Sequence, residues 1–258
     1  MWKSAYPGKE ADTMRNPDGT NDQCVIAELI GAISTYLATH QETISGVGDV
    51  LAQISLATVS GNFHETNSAT PSAHTDILKK AIENIEDQHL EAIRRCLMSS
   101  MDELIWRQDE DEFYPADSDP GDGYRASNLH TLLIGPSNAK YYRPDFTLGI
   151  FLLGPFTLYR DHFHLAPELY VNLSPRSGWR FQGGEWSDYG AGSLIWNDSN
   201  EVHATRVYDD PFISIFAWAS DIKSPCKIFN CDDWKRVENE LVVKHPFSHQ
   251  AMGSLTER

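Results

Sequence analysis

The residues of this chain best suited to chemistry lie in His162-Phe163-His164-Leu165-Ala166-Pro167-Glu168-Leu169-Tyr170. The stretch reads H-x-H-x3-E-x-Y. Along a strand, side chains alternate faces, so His162 and His164 point the same way, and Glu168 shares a face with Tyr170. The Leu-Ala-Pro link lets the chain turn or kink between the two pairs. Three groups able to bind a divalent metal can therefore converge, with a phenol beside them. The best candidate for a fourth ligand is His203, in Asn200-Glu201-Val202-His203-Ala204.

Imidazole nitrogens and a carboxylate suit Zn, Fe, Mn, Co or Ni, without selecting among them. Ligands held by strands sit on a rigid frame that can leave a coordination position open. A metal with such a position can bind a substrate carboxylate and stabilise negative charge developing next to it. Tyr170, close to that positive charge, would ionise more readily and could act as a general base. A lone HxH on a strand usually means nothing. Glu168 at the correct parity and a distant histidine favour metal over a barrel whose histidines hydrogen-bond in the core. His40, His64, His74, His89, His130, His245 and His249 lack comparable partners and read as surface or structural. Trp179, Trp186, Trp196 and Trp218 read as core, although one or two could line a site for a cationic substrate.

These groups need a scaffold, and the chain divides into three stretches. Residues 1–125 read as a helical N-terminal region, 126–231 as an all-β part carrying the candidate metal site, and 232–258 as a tail. The first 20 residues are polar, a loose arm. From Asp22, Val25, Ile26, Leu29, Ile30, Ile33 and Leu37 recur at helical spacing, with Asn21 or Asp22 as a cap. A second helix is expected over about Val47 to Val59, a loop over Ser60 to Ser72, and one long helix from Ala73 to Trp106. Asp109 to Glu112 and Asp117 to Asp122 read as a solvated acidic loop.

From Leu129 the pattern shifts to short apolar runs between turns. These are Thr131 to Ile134, Thr147 to Leu153, Phe156 to Tyr159, His162 to Leu165, Leu169 to Leu173, Gly192 to Trp196, Val202 to Val207 and Phe212 to Ala219. Many short strands with regular turn signals predict a mainly β domain, a sandwich or barrel.

A net charge of −16, from 37 acidic and 21 basic residues, argues against nucleic acid and anionic membranes as partners. Four scattered cysteines do not make a disulfide scaffold. The N-terminus lacks the apolar core of a signal peptide, and no run is long enough to span a membrane. The expectation is a cytoplasmic protein.

The motif resembles the cupin superfamily. The first cupin block is matched by His162, His164 and Glu168 with Gly178 in the later turn, and the second by Gly190-Ala191-Gly192 and His203. The proline usual in the second turn is missing. Within cupins the chain is similar to the dimethylsulfoniopropionate (DMSP) lyases. The likeness lies in Leu152-Leu153-Gly154-Pro155, Thr157-Leu158-Tyr159, Asp161-His162-Phe163-His164, Pro167-Glu168-Leu169-Tyr170, Trp179, Val202-His203-Ala204 and the strand ending in Trp218. It covers roughly residues 129 to 220.

The resemblance implies a cupin-type β-barrel (double-stranded β-helix or jelly roll) behind a helical region. It implies a β-elimination that splits DMSP, a small carboxylate-bearing sulfonium zwitterion, into dimethyl sulfide and acrylate. It also implies site roles for Tyr170 and for Tyr159. Tyr159 has the opposite parity to His162, so it reaches the site only if Arg160-Asp161 forms a bulge. The alternatives are another metal-cupin enzyme, a dioxygenase or isomerase, or a non-enzymatic cupin that binds a small ligand. The N-terminal helices either cover the barrel mouth or form the interface of a homodimer.

Overall fold

The computed structural model describes residues 22–60, 63, 74–109, 113–136 and 139–243. The expected N-terminal arm, the Asn21 cap and most of the Ser60 to Ser72 loop lie outside these residues. So do His64, His245 and His249.

Two sheets stack face to face. The first has the order β2 (Tyr141–Tyr142), β1 (Leu129–Gly135), β3 (Thr147–Leu153), β10 (Phe212–Trp218), β5 (Glu168–Asn172) and β8 (Leu194–Asn197). The second has the order β11 (Lys227–Ile228), β4 (Leu158–Phe163), β9 (His203–Arg206), β6 (Arg176–Phe181) and β7 (Ser187–Gly190). The fold is mainly β, a cupin-type jelly roll of two sheets preceded by helices, as the sequence implied.

Strands β3, β10 and β5 are buried on both faces, which explains their near-continuous apolar runs. Their outward residues, such as Leu148, Ile150, Val171, Ile213 and Ile215, pack with the N-terminal helices in one core. Their inward residues, such as Phe151, Tyr170, Phe212 and Phe216, pack between the sheets in a second core. Gly149 on β3 permits this: a Cβ there would lie 2.5 Å from the Thr131 carbonyl oxygen and 2.6 Å from the Phe216 ring.

Helix α1 (Asp22–Ala38) buries Ile26, Leu29, Ile30, Ile33 and Leu37, the stripe expected of it. Helix α2 (Val47–Ser60) buries Val47, Val50, Ile54 and Ala57. The long helix expected from Ala73 to Trp106 is instead two. Helix α3 (Thr75–Glu83) ends at Asn84, and a 3-10 turn at Gln88–Leu90 leads into α4 (Glu91–Ser100). Polar side chains make the break. Asn84 donates to Asp210 at 2.9 Å, and extended Asp87 accepts from the His89 backbone N–H at 2.8 Å.

The acidic stretch is not simply solvated. Asp109 is buried and accepts a hydrogen bond from the Tyr124 hydroxyl at 2.8 Å, while Asp122 starts a short helix, α5 (Asp122–Ser127). The two strands expected over Phe156 to Tyr159 and His162 to Leu165 are one, β4. Strands β6 and β7 escaped the sequence reading because charged and small residues such as Arg176, Gly178, Arg180 and Asp188 interrupt the apolar pattern around Trp179, Phe181 and Tyr189. The C-terminal stretch contains α6 (Trp234–Val243), whose Val237 and Leu241 pack on Leu158 of β4. Among the described residues, no helix is long and apolar enough to cross a membrane.

Candidate metal centre and active-site pocket

The turn at Leu165 to Pro167 carries the chain from one sheet to the other, because β4 and β5 belong to different sheets. The His162/His164 pair thus faces the Glu168/Tyr170 pair across the sandwich interior. His203 on β9 is the register partner of His162 on β4. Ligating nitrogens of His162, His164 and His203 can be chosen that all lie within 4.8 Å of one another, and all three residues are buried. Glu168 completes the group, with Oε2 at 3.0 Å from His164 Nε2 and 3.5 Å from His203 Nε2.

Each imidazole is oriented by a backbone carbonyl. His162 Nδ1 lies 2.8 Å from Arg160 O, His164 Nδ1 2.8 Å from Ala166 O, and His203 Nδ1 2.9 Å from Glu201 O. A carbonyl only accepts, so each Nδ1 carries hydrogen and donates, leaving Nε2 as the ligating atom. This is the outer-shell arrangement that fixes metal-binding histidines. His203 Nε2 is buried and makes no hydrogen bond. Three oriented imidazoles, an orphaned nitrogen and a carboxylate fit a divalent cation.

Glu168 is held from both neighbouring strands. Trp218, its register partner on β10, donates its indole N–H to Oε1 at 2.7 Å, and Asn197, its partner on β8, reaches Oε2 at 3.4 Å. Burial opposes ionisation of Glu168, but the charges of His164 and His203 and the hydrogen bond with His164 outweigh it and hold the carboxyl well below its usual range. Burial, followed by the charges of His203 and His164, keeps His162 well below its ordinary value.

A pocket opens beside this centre, lined on its floor by His162, His164, Glu168, Tyr159 and Tyr170. Aromatic faces of Phe113, Tyr124, Phe151, Phe216 and Trp218 form its walls. The register of β4 against β9 slips between Tyr159 and His162, so a bulge lies at Arg160-Asp161. The bulge turns Tyr159 inward, and its ring stacks on His162 with centroids 4.1 Å apart. Asp161 meanwhile points outward into a buried ion pair with Arg180. Tyr170 packs on Trp179, with centroids 4.9 Å apart, and burial then Glu168 push its phenol well above its ordinary value.

Six pocket residues were missed in the sequence: Phe113, Tyr124, His130, Phe151, Phe216 and Cys226. His130, read as surface or structural, is buried, lines the pocket and meets Phe113 edge to face. Cys226 and Phe113 also line it. They come from segments remote from the motif, and the strand expected over Thr131 to Ile134 starts one residue beyond His130, which the structure includes in β1. Of the tryptophans, Trp218 lines the pocket, while Trp179 is buried core.

Fold and site together define a cupin-type protein with a histidine-rich interior centre able to hold a metal ion. The sequence model of the dimethylsulfoniopropionate lyase family matches residues 50–214, a span that contains Tyr159, His162, His164, Glu168, Tyr170 and His203. The chain belongs to that family. It is 32% identical over 66 residues to the dimethylsulfoniopropionate lyase DddQ of Ruegeria pomeroyi, a stretch that spans 26% of this chain and 33% of that relative. The crystal structure of DddQ from Ruegeria pomeroyi DSS-3 superposes with a TM-score of 0.54 at 18% identity, covering 78% of this chain and 96% of that one. A chain from the crystal structures of the DMSP lyases RdDddP and RnDddQII gives a TM-score of 0.59 at 15% identity, covering 81% of this chain and 100% of that one. These two likenesses establish the fold.

Proposed function

We propose that this chain is a metal-dependent lyase that cleaves DMSP into dimethyl sulfide and acrylate. The observation that carries the reading is the convergence of three carbonyl-oriented imidazoles and Glu168 beside two pocket-lining tyrosines. Family membership supplies the substrate class.

His162, His164, Glu168 and His203 would hold the metal, one of Zn, Fe, Mn, Co or Ni. Bound there, it would supply a Lewis-acid anchor for the substrate carboxylate and a positive charge opposing the burial and Glu168 charge that hold Tyr170 protonated. The chain's own residues do the rest. Tyr170, as phenolate, takes the proton from the carbon next to the carboxylate. The electron pair forms the carbon–carbon double bond of acrylate, and dimethyl sulfide leaves as a neutral molecule with the C–S bonding pair. Aromatic walls favour the sulfonium cation and keep the pocket poor in water. Tyr159, stacked on His162, is the second tyrosine with a site role.

Proton NMR of DMSP incubated with metal-loaded protein tests the reaction. Acrylate and dimethyl sulfide should appear in equal amounts as DMSP disappears. A different product pair would assign the site to another metal-cupin reaction.

A further inference from the structure

Tyr159 is not held in the site by its own strand alone. Its hydroxyl lies 2.6 Å from the hydroxyl of Tyr114, and both residues are buried, at 6% and 2% exposure. Tyr114 belongs to neither sheet. It arrives from the connection ahead of α5. That connection is pinned on both sides: the Phe113 N–H donates to Asp109 at 3.2 Å, and the Phe113 carbonyl accepts from the Cys226 N–H at 2.8 Å. The Tyr114 ring stands edge-on to Tyr124 at 5.8 Å and to His162 at 6.0 Å. Tyr124 in turn stacks flat on Tyr159 at 4.4 Å, and its own hydroxyl is tied to buried Asp109. Tyr159 is thus clamped between Tyr124 and His162 on its two faces and by Tyr114 at its hydroxyl.

Tyr114 does not line the pocket, whereas Tyr159 does. We infer that Tyr114 is a positioning residue: its hydroxyl fixes the direction of the Tyr159 hydroxyl, and it acts on turnover only through that contact. The inference rests on the lyase reading, since it assigns Tyr114 a part in the same site. A phenol hydroxyl has one hydrogen and two acceptor positions. The Tyr114 contact occupies one of these, so the remaining hydroxyl positions of Tyr159 face the pocket in a set orientation. Without that contact the Tyr159 ring stays stacked, but its hydroxyl loses the 2.6 Å partner that sets its direction.

The test is a double-mutant cycle with Tyr114→Phe, Tyr159→Phe and the double variant, in full-length metal-loaded protein. Phenylalanine keeps both rings, so the stacks persist. Tyr114→Phe should lower kcat for dimethyl sulfide release by about five- to tenfold, the loss of one oriented hydrogen bond. KM and bound metal should stay at the wild-type values, which a general packing defect would not preserve. The double variant should be no slower than Tyr159→Phe alone, because Tyr114 has no role once Tyr159 lacks its hydroxyl. Unchanged turnover in Tyr114→Phe, or effects that multiply in the double variant, would overturn the inference. The same cycle run on urea-denaturation midpoints of the metal-free variants reads the contact without substrate. If wild-type protein releases no dimethyl sulfide, the lyase reading fails. Non-additive midpoints would still bear out the contact, and additive midpoints would overturn it.

Discussion

His164 Nε2 lies 3.0 Å from Glu168 Oε2 while His164 Nδ1 is already committed to the Ala166 carbonyl. With its hydrogen on Nδ1, a neutral His164 would present a lone pair to a carboxylate oxygen, which is repulsive. The pair is stable either as an imidazolium against a carboxylate or with a cation shared between the two groups. His203 repeats the arrangement, with Nδ1 on the Glu201 carbonyl and Nε2 at 3.5 Å from the same oxygen without a hydrogen bond. One shared cation satisfies both histidines at once.

The first prediction concerns that cation. Wild-type protein should bind one divalent transition metal per chain. His164→Ala and His203→Ala should each weaken binding by at least about tenfold, since even an outer-shell change costs that much. Elemental analysis after dialysis against competing chelator measures this. Equal metal retention in the variants would remove these histidines as ligands.

Tyr170 can be separated from the ligands. It lines the pocket beside Glu168, and its replacement by phenylalanine leaves His162, His164, Glu168 and His203 all in place. Tyr170→Phe should therefore keep its metal and lose turnover by about 100-fold or more, the usual contribution of a general base. Steady-state rates with parallel metal analysis check this. Turnover within a few-fold of wild type would pass the role of base to Tyr159.

Acid should destabilise the metal-free protein in two stages. Burial, then His203 and His164, keep folded His162 well below its ordinary value of 6.5. The unfolded chain therefore takes up a proton that the folded chain refuses. Stability should be fully present above about pH 6.5 and drain away below it. Glu168, also held low, adds a further loss below about pH 4.5 as the unfolded carboxylate protonates first. Thermal midpoints measured from about pH 7 to pH 5 should fall, and His162→Gln should flatten the slope. An unchanged slope in that variant would contradict the assignment.

The bulge that turns Tyr159 inward also places Asp161 against Arg180. Asp161 is fully buried and accepts from Arg180 Nε at 2.9 Å and from Trp234 Nε1 at 2.8 Å. Removing its charge leaves a buried guanidinium with only Asp233 to balance it. Asp161→Asn should cost about 3 kcal/mol in urea denaturation. A loss below about 1 kcal/mol would show that Asp233 alone suffices.

Strand parity made the heart of the site legible in the sequence. His162 with His164, Glu168 with Tyr170, and the condition that Tyr159 needs a bulge all follow from a period of two. The kink at Pro167 was visible too, but not that it switches sheets. What stayed hidden lies in contacts remote along the chain. Phe113, His130 and Cys226 reach the pocket from a connection, strand β1 and a C-terminal turn whose local sequence carries no motif. Strands β6 and β7 were missed because residues such as Arg176 and Asp188 pair across them at the surface, which breaks apolar alternation. The split between α3 and α4 was hidden because Asn84 and Asp87 sit in an otherwise helical pattern. Their capping role depends partly on Asp210, far along the chain.

Headspace gas chromatography of dimethyl sulfide, with purified protein stripped of metal and then reloaded, tests the central claim most directly. The account predicts release from DMSP by the reloaded wild type, little by the stripped protein, and little by reloaded His203→Ala. Release that is absent from the reloaded wild type, or undiminished in the stripped protein, would contradict it.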